Sequence, residues 1–222
     1  MSNIKQWIEF GLSLPKTLFF NLKVFDFKTA IKFPVLVHYR SRIQEVHKGS
    51  ILLNCNMRGG VKIGFGGTDG IIQASSRNYI QIGKNGKIII NGKTSFSRGT
   101  TLRVDGELNL GRNVWFNCNT LISVHEKVVI DNDFVSGWNL LIMDSDNHKV
   151  YCDNKLQVDH APIVIHEKVW AAANVSILKG VSVGTGSIVA YGSIVTSNCL
   201  EEYCLYAGIP ARKKKSNISW DI

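Results

Sequence analysis

The stretch Ile163–Val195, IVIHEKVWAAANVSILKGVSVGTGSIVAYGSIV, decides how the chain is read. Every sixth residue from Ile165 is aliphatic: Ile165, Ala171, Ile177, Val183, Val189 and Val195. Four residues after each of the first five stands Val169, Val175, Val181, Ser187 or Ser193. A period of six fits neither a helix, which repeats near 3.6, nor a single strand, which repeats at 2. A fixed short repeat means units stacked on copies of themselves, with the aliphatic residues pointing into one continuous interior. Gly180, Gly184, Gly186 and Gly192 fall between them, where the chain must bend.

Towards the N-terminus the same pattern returns with interruptions. Val104-Asp105, Leu110-Gly111, Phe116-Asn117 and Ile122-Ser123 keep the sixes, and Ile130, Ser136 and Ile142 resume them. Slips between Ile82 and Ile90 and between Ile122 and Ile130 each predict two extra residues at a corner. From Ser50 to Ile82 the repeat is irregular, with turn signals at Gly66-Gly67 and Asp69-Gly70. The pattern stops between Met143 and Pro162, MDSDNHKVYCDNKLQVDHAP, which carries Asp144, Asp146, His148, Asp153, Asp159 and His160. A polar insertion in a stiff solenoid is where chemistry is expected.

Residues 1–30 read as helical, with Ile4, Trp7, Ile8 and Leu12 on one face and Pro15 starting a second short helix. Two readings compete: a cap on the open end of the solenoid, or an interfacial helix lying at a membrane. Residues 31–49 alternate more like strands. The expected organisation is a helical cap segment at 1–49, a solenoid at 50–200 with its loop at 143–162, and a C-terminal tail at 201–222 that ends polar.

The net charge is +9, and residues 1–48 contribute +5 of it through eight Lys/Arg against three Asp/Glu. Arg212-Lys213-Lys214-Lys215 form a second basic cluster. Such surfaces suit an anionic membrane or phosphorylated small molecules. No helix-turn-helix, finger or stacking-platform signature accompanies them, which argues against nucleic acid. No apolar run reaches the ~18 residues of a spanning helix, and MSNIKQWIEF lacks the pattern of a secretory signal. Cys55, Cys118, Cys152, Cys199 and Cys204 contain no C-x-x-C pair, so free thiols in a cytoplasmic, reducing setting are expected and a zinc site is not.

Three features occur in a fixed order: Asp144-Ser145-Asp146-Asn147-His148, then WAAANVSILKGV from Trp170, then YAGIPAR. With the sixes, this order resembles the hexapeptide-repeat acyltransferases, in particular the sugar and polysaccharide O-acetyltransferases. The resemblance covers about residues 82–215. It implies an all-β left-handed parallel β-helix with a protruding loop, working as a homotrimer. It also implies an acetyl-CoA donor, no metal, and a saccharide or lipid-linked saccharide acceptor. By position, His148 is the general base, Asp144 or Asp146 orients it, and the backbone of Ala173 meets the oxyanion. Asn117 and Trp170 face the reaction centre. Ala172, Ala173, Ala190 and Tyr191 line the pantetheine arm, although relatives usually carry Gly or Ala at the place of Tyr191. Thr196, Arg212 and Lys215 lie near the adenosine phosphates. His125 and His160 are the rival bases. Other readings are transfer to an amine or a serine, a zinc hydratase whose paired histidine spacing is absent here, and a scaffold without chemistry. Peripheral membrane contact through residues 1–25 accompanies the lipid-linked reading of the acceptor.

Overall fold

A computed structural model describes residues 2–54, 58–66 and 77–221. Cys55, Gly67, Asp69 and Gly70 lie outside the described residues. Three parallel sheets of nine, seven and six strands form the faces of a triangular solenoid, called here faces A, B and C. Each pass of the chain lays one strand on A, one on B and one on C. The pass Val114–Phe116, Leu121–Val124, Lys127–Ile130 is typical. All ladders along the body are parallel, and the last strand, Arg212–Lys215, closes face A antiparallel to Leu205–Ala207.

The inward positions explain the sixes. Ile165, Ala171, Ile177, Val183, Val189 and Val195 are all fully buried and stack on their counterparts in neighbouring passes. In the middle of the body aromatic rings take over. Phe96 and Phe116 stack at 5.1 Å, and Phe134 follows Phe116 at 5.6 Å. Each such pair adds about 1 kcal/mol beyond its buried area.

The corners are bent by single residues in the left-handed region. Asn119, Asn139, Asn174 and Gly192 do this between faces A and B, at φ of 58°, 58°, 58° and 68°. Asparagine and glycine tolerate this conformation best. The asparagines also bond along the stack, Asn139 Nδ2 donating to Asn174 Oδ1 at 2.9 Å.

Passes differ in length, the longest regular one being 22 residues, where Tyr79 pairs with Thr101. Thr101 pairs with Leu121 and Leu121 with Leu141, a spacing of 20, whereas Ser176 pairs with Ile194, a spacing of 18. The two extra residues widen the corner between faces B and C. The sequence places this two-residue slip at two corners; at the first, between Ile82 and Ile90, the pass is longer by two more. The slip also occurs at the pass between them, where Val104 and Leu108 are both inward.

Three elements differ from the sequence reading. Helix α1 (Ser2–Val24) runs through Pro15 without a break. The missing N–H falls on the exposed side, while Ser13, Thr17 and Asn21 hold the other side. A short helix α2 (Phe27–Ala30) follows, capped by Asp26. Next, Val35–Val37 and Arg42–Glu45 are already strands of faces A and B, so the solenoid ladder starts ahead of Ser50. Finally, the tail is not simply polar and solvated. It returns across face A, where Trp220 Nε1 donates to the Lys168 carbonyl at 3.1 Å. No helix among the described residues is long and apolar enough to cross a membrane.

Candidate active site

The candidate residues fall on two different edges of the triangular prism. Asn117 follows Val114–Phe116, Ala172 and Ala173 follow Trp170–Ala171, and Ala190 and Tyr191 follow Ile188–Val189. All three strands lie on face A and lead into face B, so these five residues share the A–B edge. The stack is close-packed. Gly192 N–H donates to the Ala173 carbonyl at 3.1 Å. A Cβ on Gly137 would stand 2.4 Å from the Ala173 nitrogen, so only glycine allows that approach. Asn117 turns its amide oxygen back to the Cys118 N–H at 2.8 Å. Tyr191 projects into solvent, 68% exposed, where a smaller residue was the expected type.

Trp170 points outward from face A, and Trp220 of the returning tail lies 6.0 Å from it at 45°. Sequence reading missed Trp220. A tryptophan in an otherwise polar tail was the available signal.

The polar insertion leaves from another edge, between faces B and C. It is a hairpin arm, with Tyr151–Cys152 pairing antiparallel with Lys155–Leu156. Its root is pinned. Asp146 N–H donates to the Asp159 carbonyl at 2.7 Å, Ala161 N–H to the Asp144 carbonyl at 2.9 Å, and Ser145 bridges His160. The Lys179 ammonium binds both the Asp146 carboxylate and the Val158 carbonyl, at 2.5 Å for the latter.

Asp144 does not orient His148, contrary to the sequence expectation. It lies one residue beyond the Ser123–Met143 pair, at the inward position that Val124 holds in the pass before. Its fully buried carboxylate accepts from the N–H groups of His125, Glu126 and Lys127 at 2.7, 2.8 and 2.8 Å. In the preceding passes such corner N–H groups bond to carbonyls of the next pass, as Asp105 does to Val124 and Glu107 to Glu126. Here the chain departs into the arm, so the side chain supplies the missing acceptors. Buried N–H groups demand partners, and a carboxylate with its four lone-pair sites can serve three at once. Asp146 is likewise engaged with Lys179 and not with His148.

His148 itself is exposed on the first limb of the arm, two residues beyond the Asp146 anchor and ahead of the hairpin strands, without a hydrogen-bond or ion-pair partner among the described residues. The carboxylate–histidine pair expected there occurs instead at the root. His160 Nδ1 lies 2.5 Å from Asp159 Oδ1, its Nε2 4.0 Å from Glu126 Oε2, and its ring 5.2 Å from that of His125. The bond to His160 holds the Asp159 carboxyl below its usual range. His166 is half-exposed and 3.3 Å from Asp131.

At the C-terminal end, Arg212 Nη1 donates to Ser197 Oγ at 3.2 Å, beside Thr196, and to the Ala211 carbonyl at 2.9 Å. Lys213 pairs with Glu201 at 2.5 Å, while Arg212, Lys214 and Lys215 are exposed along the closing strand. Of the described cysteines, Cys118, Cys199 and Cys204 are buried and Cys152 is exposed. Burial pushes the Cys199 thiol up to about 11, far from the range of a nucleophile. No group of three His, Cys, Asp or Glu among the described residues could hold a metal ion.

No family model matches the chain. It is 34% identical over 147 residues to the polysialic acid O-acetyltransferase of Escherichia coli O1:K1, covering 64% of this chain and 44% of that protein. It is 27% identical over 124 residues to the galactoside O-acetyltransferase of Escherichia coli K12, covering 46% of this chain and 61% of that one. The chain thus spans about half the length of the curated relatives it matches. Its structure superposes on that of the polySia-specific acetyltransferase NeuO with a TM-score of 0.61 at 24% identity, covering 82% of this chain and 89% of the other. The fold is therefore a left-handed parallel β-helix, as the sequence resemblance implies.

Proposed function

We propose that the chain transfers an acetyl group from acetyl-CoA to a hydroxyl of a saccharide, with His148 as general base. The observation that carries this reading is the arm, pinned at its root by Asp144 and Lys179 and presenting His148 exposed and unpartnered just beyond that root. The relatives named above are O-acetyltransferases, which supports the reaction class. Acetyl-CoA, when bound, supplies the activated thioester. The residues present fit it: small side chains at Ala172, Ala173 and Ala190 leave room along an edge, and Arg212 and Lys215 offer charge for phosphates.

In this reading the neutral His148 imidazole takes the proton of the sugar hydroxyl as the oxygen attacks the acetyl carbon. The Ala173 N–H stabilises the charge that develops on the carbonyl oxygen. The carbon–sulfur bond breaks, and the proton goes from His148 to the departing sulfur. The products are an acetyl ester and the free thiol. No carboxylate partner is required for this role, and none touches His148 among the described residues.

The arm and the A–B edge stand on different edges of the same prism. A neighbouring copy that set its arm against this edge would join base and donor in one site. Cyclic trimers make such a contact between unlike edges, and we propose that arrangement here. A second reading has its own observation behind it: the Asp159–His160 pair has the carboxylate-oriented geometry of hydroxyl-activating histidines.

The test is release of free thiol from acetyl-CoA with a panel of sugars, nucleotide sugars and polyprenyl-linked oligosaccharides. Acetyl-CoA turnover by the wild-type chain that His148→Ala lowers by roughly 100- to 10,000-fold supports the proposal. Wild-type turnover in His148→Ala on the accepted substrate removes His148 from the mechanism.

A further inference from the structure

Helix α1 has its polarity reversed relative to an ordinary surface helix. Glu9, Ser13, Thr17 and Asn21 recur every four residues and form one stripe. That polar stripe is the side that packs on the solenoid. Asn21 Nδ2 donates to the Val35 carbonyl at 2.7 Å and its Oδ1 accepts from the Val35 N–H at 3.3 Å. Thr17 Oγ1 accepts from the Val37 N–H at 3.0 Å, and Ser13 Oγ from the Tyr39 N–H at 3.0 Å. Lys16 Nζ donates to the carbonyls of Tyr39 and Ser41 at 2.6 and 2.7 Å. These side chains replace the missing neighbour of the first strand of face A, whose backbone groups would otherwise be left as a bare sheet edge.

The opposite side of α1 is apolar and uncovered. Ile4, Trp7, Ile8 and Phe19 are 69, 73, 57 and 57% exposed, and Leu12, Leu18 and Leu22 add to the same side. Phe27 and Ile31, in and just after α2, are 71 and 48% exposed. So much contiguous apolar surface marks an interaction site. Its charge identifies the occupant. Glu9, the one acidic residue of α1, is turned inward onto Arg98 at 2.7 Å. Lys23, Lys28, Lys32 and Arg40 are exposed on the surrounding surface, with Lys23 lying 5.9 Å over the Phe19 ring.

We propose that α1 docks the solenoid end-on to an anionic lipid surface, its aromatic and aliphatic face buried in the interface and the lysines against the headgroups. Because the helix caps the first pass, the solenoid axis stands upright on the bilayer. The arm leaves after the fifth strand along face B, roughly 20 Å beyond the first strand at about 4.8 Å per strand. The docking does not depend on the acetyl-transfer reading.

Flotation of the full chain with phosphatidylcholine vesicles, with and without one-third phosphatidylglycerol, tests this. Binding should require the anionic lipid, weaken with added salt, and fall by about tenfold or more in Trp7→Glu/Phe19→Glu. Lys23→Glu/Lys28→Glu should weaken it on anionic vesicles while keeping the apolar face. Unchanged melting of both variants excludes loss of the fold as the cause. No flotation of the wild type at low salt overturns the proposal. Particles in sedimentation that double in mass and are split by Trp7→Glu/Phe19→Glu, without vesicle binding, would identify a second copy as the occupant instead.

Discussion

The buried root of the arm and the exposed limb just beyond it carry the same kinds of residue and are built for opposite ends. At the root, Asp144 is fully buried and closes three backbone N–H groups, so its chemistry is spent on the fold. On the limb just beyond, His148 is exposed and bonded to nothing among the described residues. A motif that reads as one catalytic unit, Asp-Ser-Asp-Asn-His, is thus divided by three-dimensional context. The first aspartate ends the solenoid corner, the second anchors the arm, and the histidine is carried outward.

Exchanging residues at the two places should separate turnover from stability. His148→Ala should cost the ~100- to 10,000-fold in kcat of a lost general base with a melting temperature within about 1 °C of wild type. Asp144→Ala should do the reverse to the fold. Stranding three buried N–H groups costs about 3 kcal/mol or more, a fall in Tm of roughly 6–12 °C by calorimetry for a chain of this size. If Asp144→Ala melted like wild type, the corner account of Asp144 would be wrong.

Lower on the same scale, Arg212→Glu should weaken CoA about tenfold and dephospho-CoA less, by isothermal titration, since the 3′-phosphate is the group a guanidinium favours. Equal losses would take Arg212 out of the phosphate site. Lys179→Ala loosens the arm without touching its tip. Because exposed ion pairs contribute little, stability should change by under ~1 kcal/mol, but limited proteolysis within residues 145–161 should speed up.

The smallest effect concerns the other end of the molecule. His38 is buried beneath α1, with Arg98, Glu9, Arg40 and Lys16 around it, and its pKa is lowered from 6.5, first by burial and then by Arg98. The folded state therefore resists the proton that the unfolded chain accepts. Stability contributed by neutral His38 is complete above pH ~6.5 and falls as pH drops from there towards the folded-state value. Urea titrations at pH 7.5 and 5.5 should show this loss in wild type and less of it in His38→Asn.

What the sequence discloses follows from where the cause lies. The sixes are visible because each pass points aliphatic residues at the same interior, and Gly and Asn mark corners for reasons of backbone sterics. The arm is visible as the place where the sixes stop. The role of Asp144 is not, because its partners are backbone N–H groups of a pass 17 to 19 residues earlier, and N–H groups leave no trace in composition. The inverted face of α1 is hidden for the same reason. Ser13, Thr17 and Asn21 take their role from the strand edge beneath them. Trp220 and the Asp159–His160 pair take their roles from the return of the tail and the closure of the hairpin, which the sequence marks only by a tryptophan in a polar tail and an adjacent Asp-His.

The most direct test of the account is the pH dependence of kcat/KM for acetyl transfer by wild type, His148→Ala and His160→Ala. If His148 is the base, the acidic limb that reports a neutral imidazole is present in wild type and in His160→Ala and absent from the residual activity of His148→Ala. An acidic limb that survives in His148→Ala and disappears in His160→Ala would move the base to the root and contradict the division of labour proposed here.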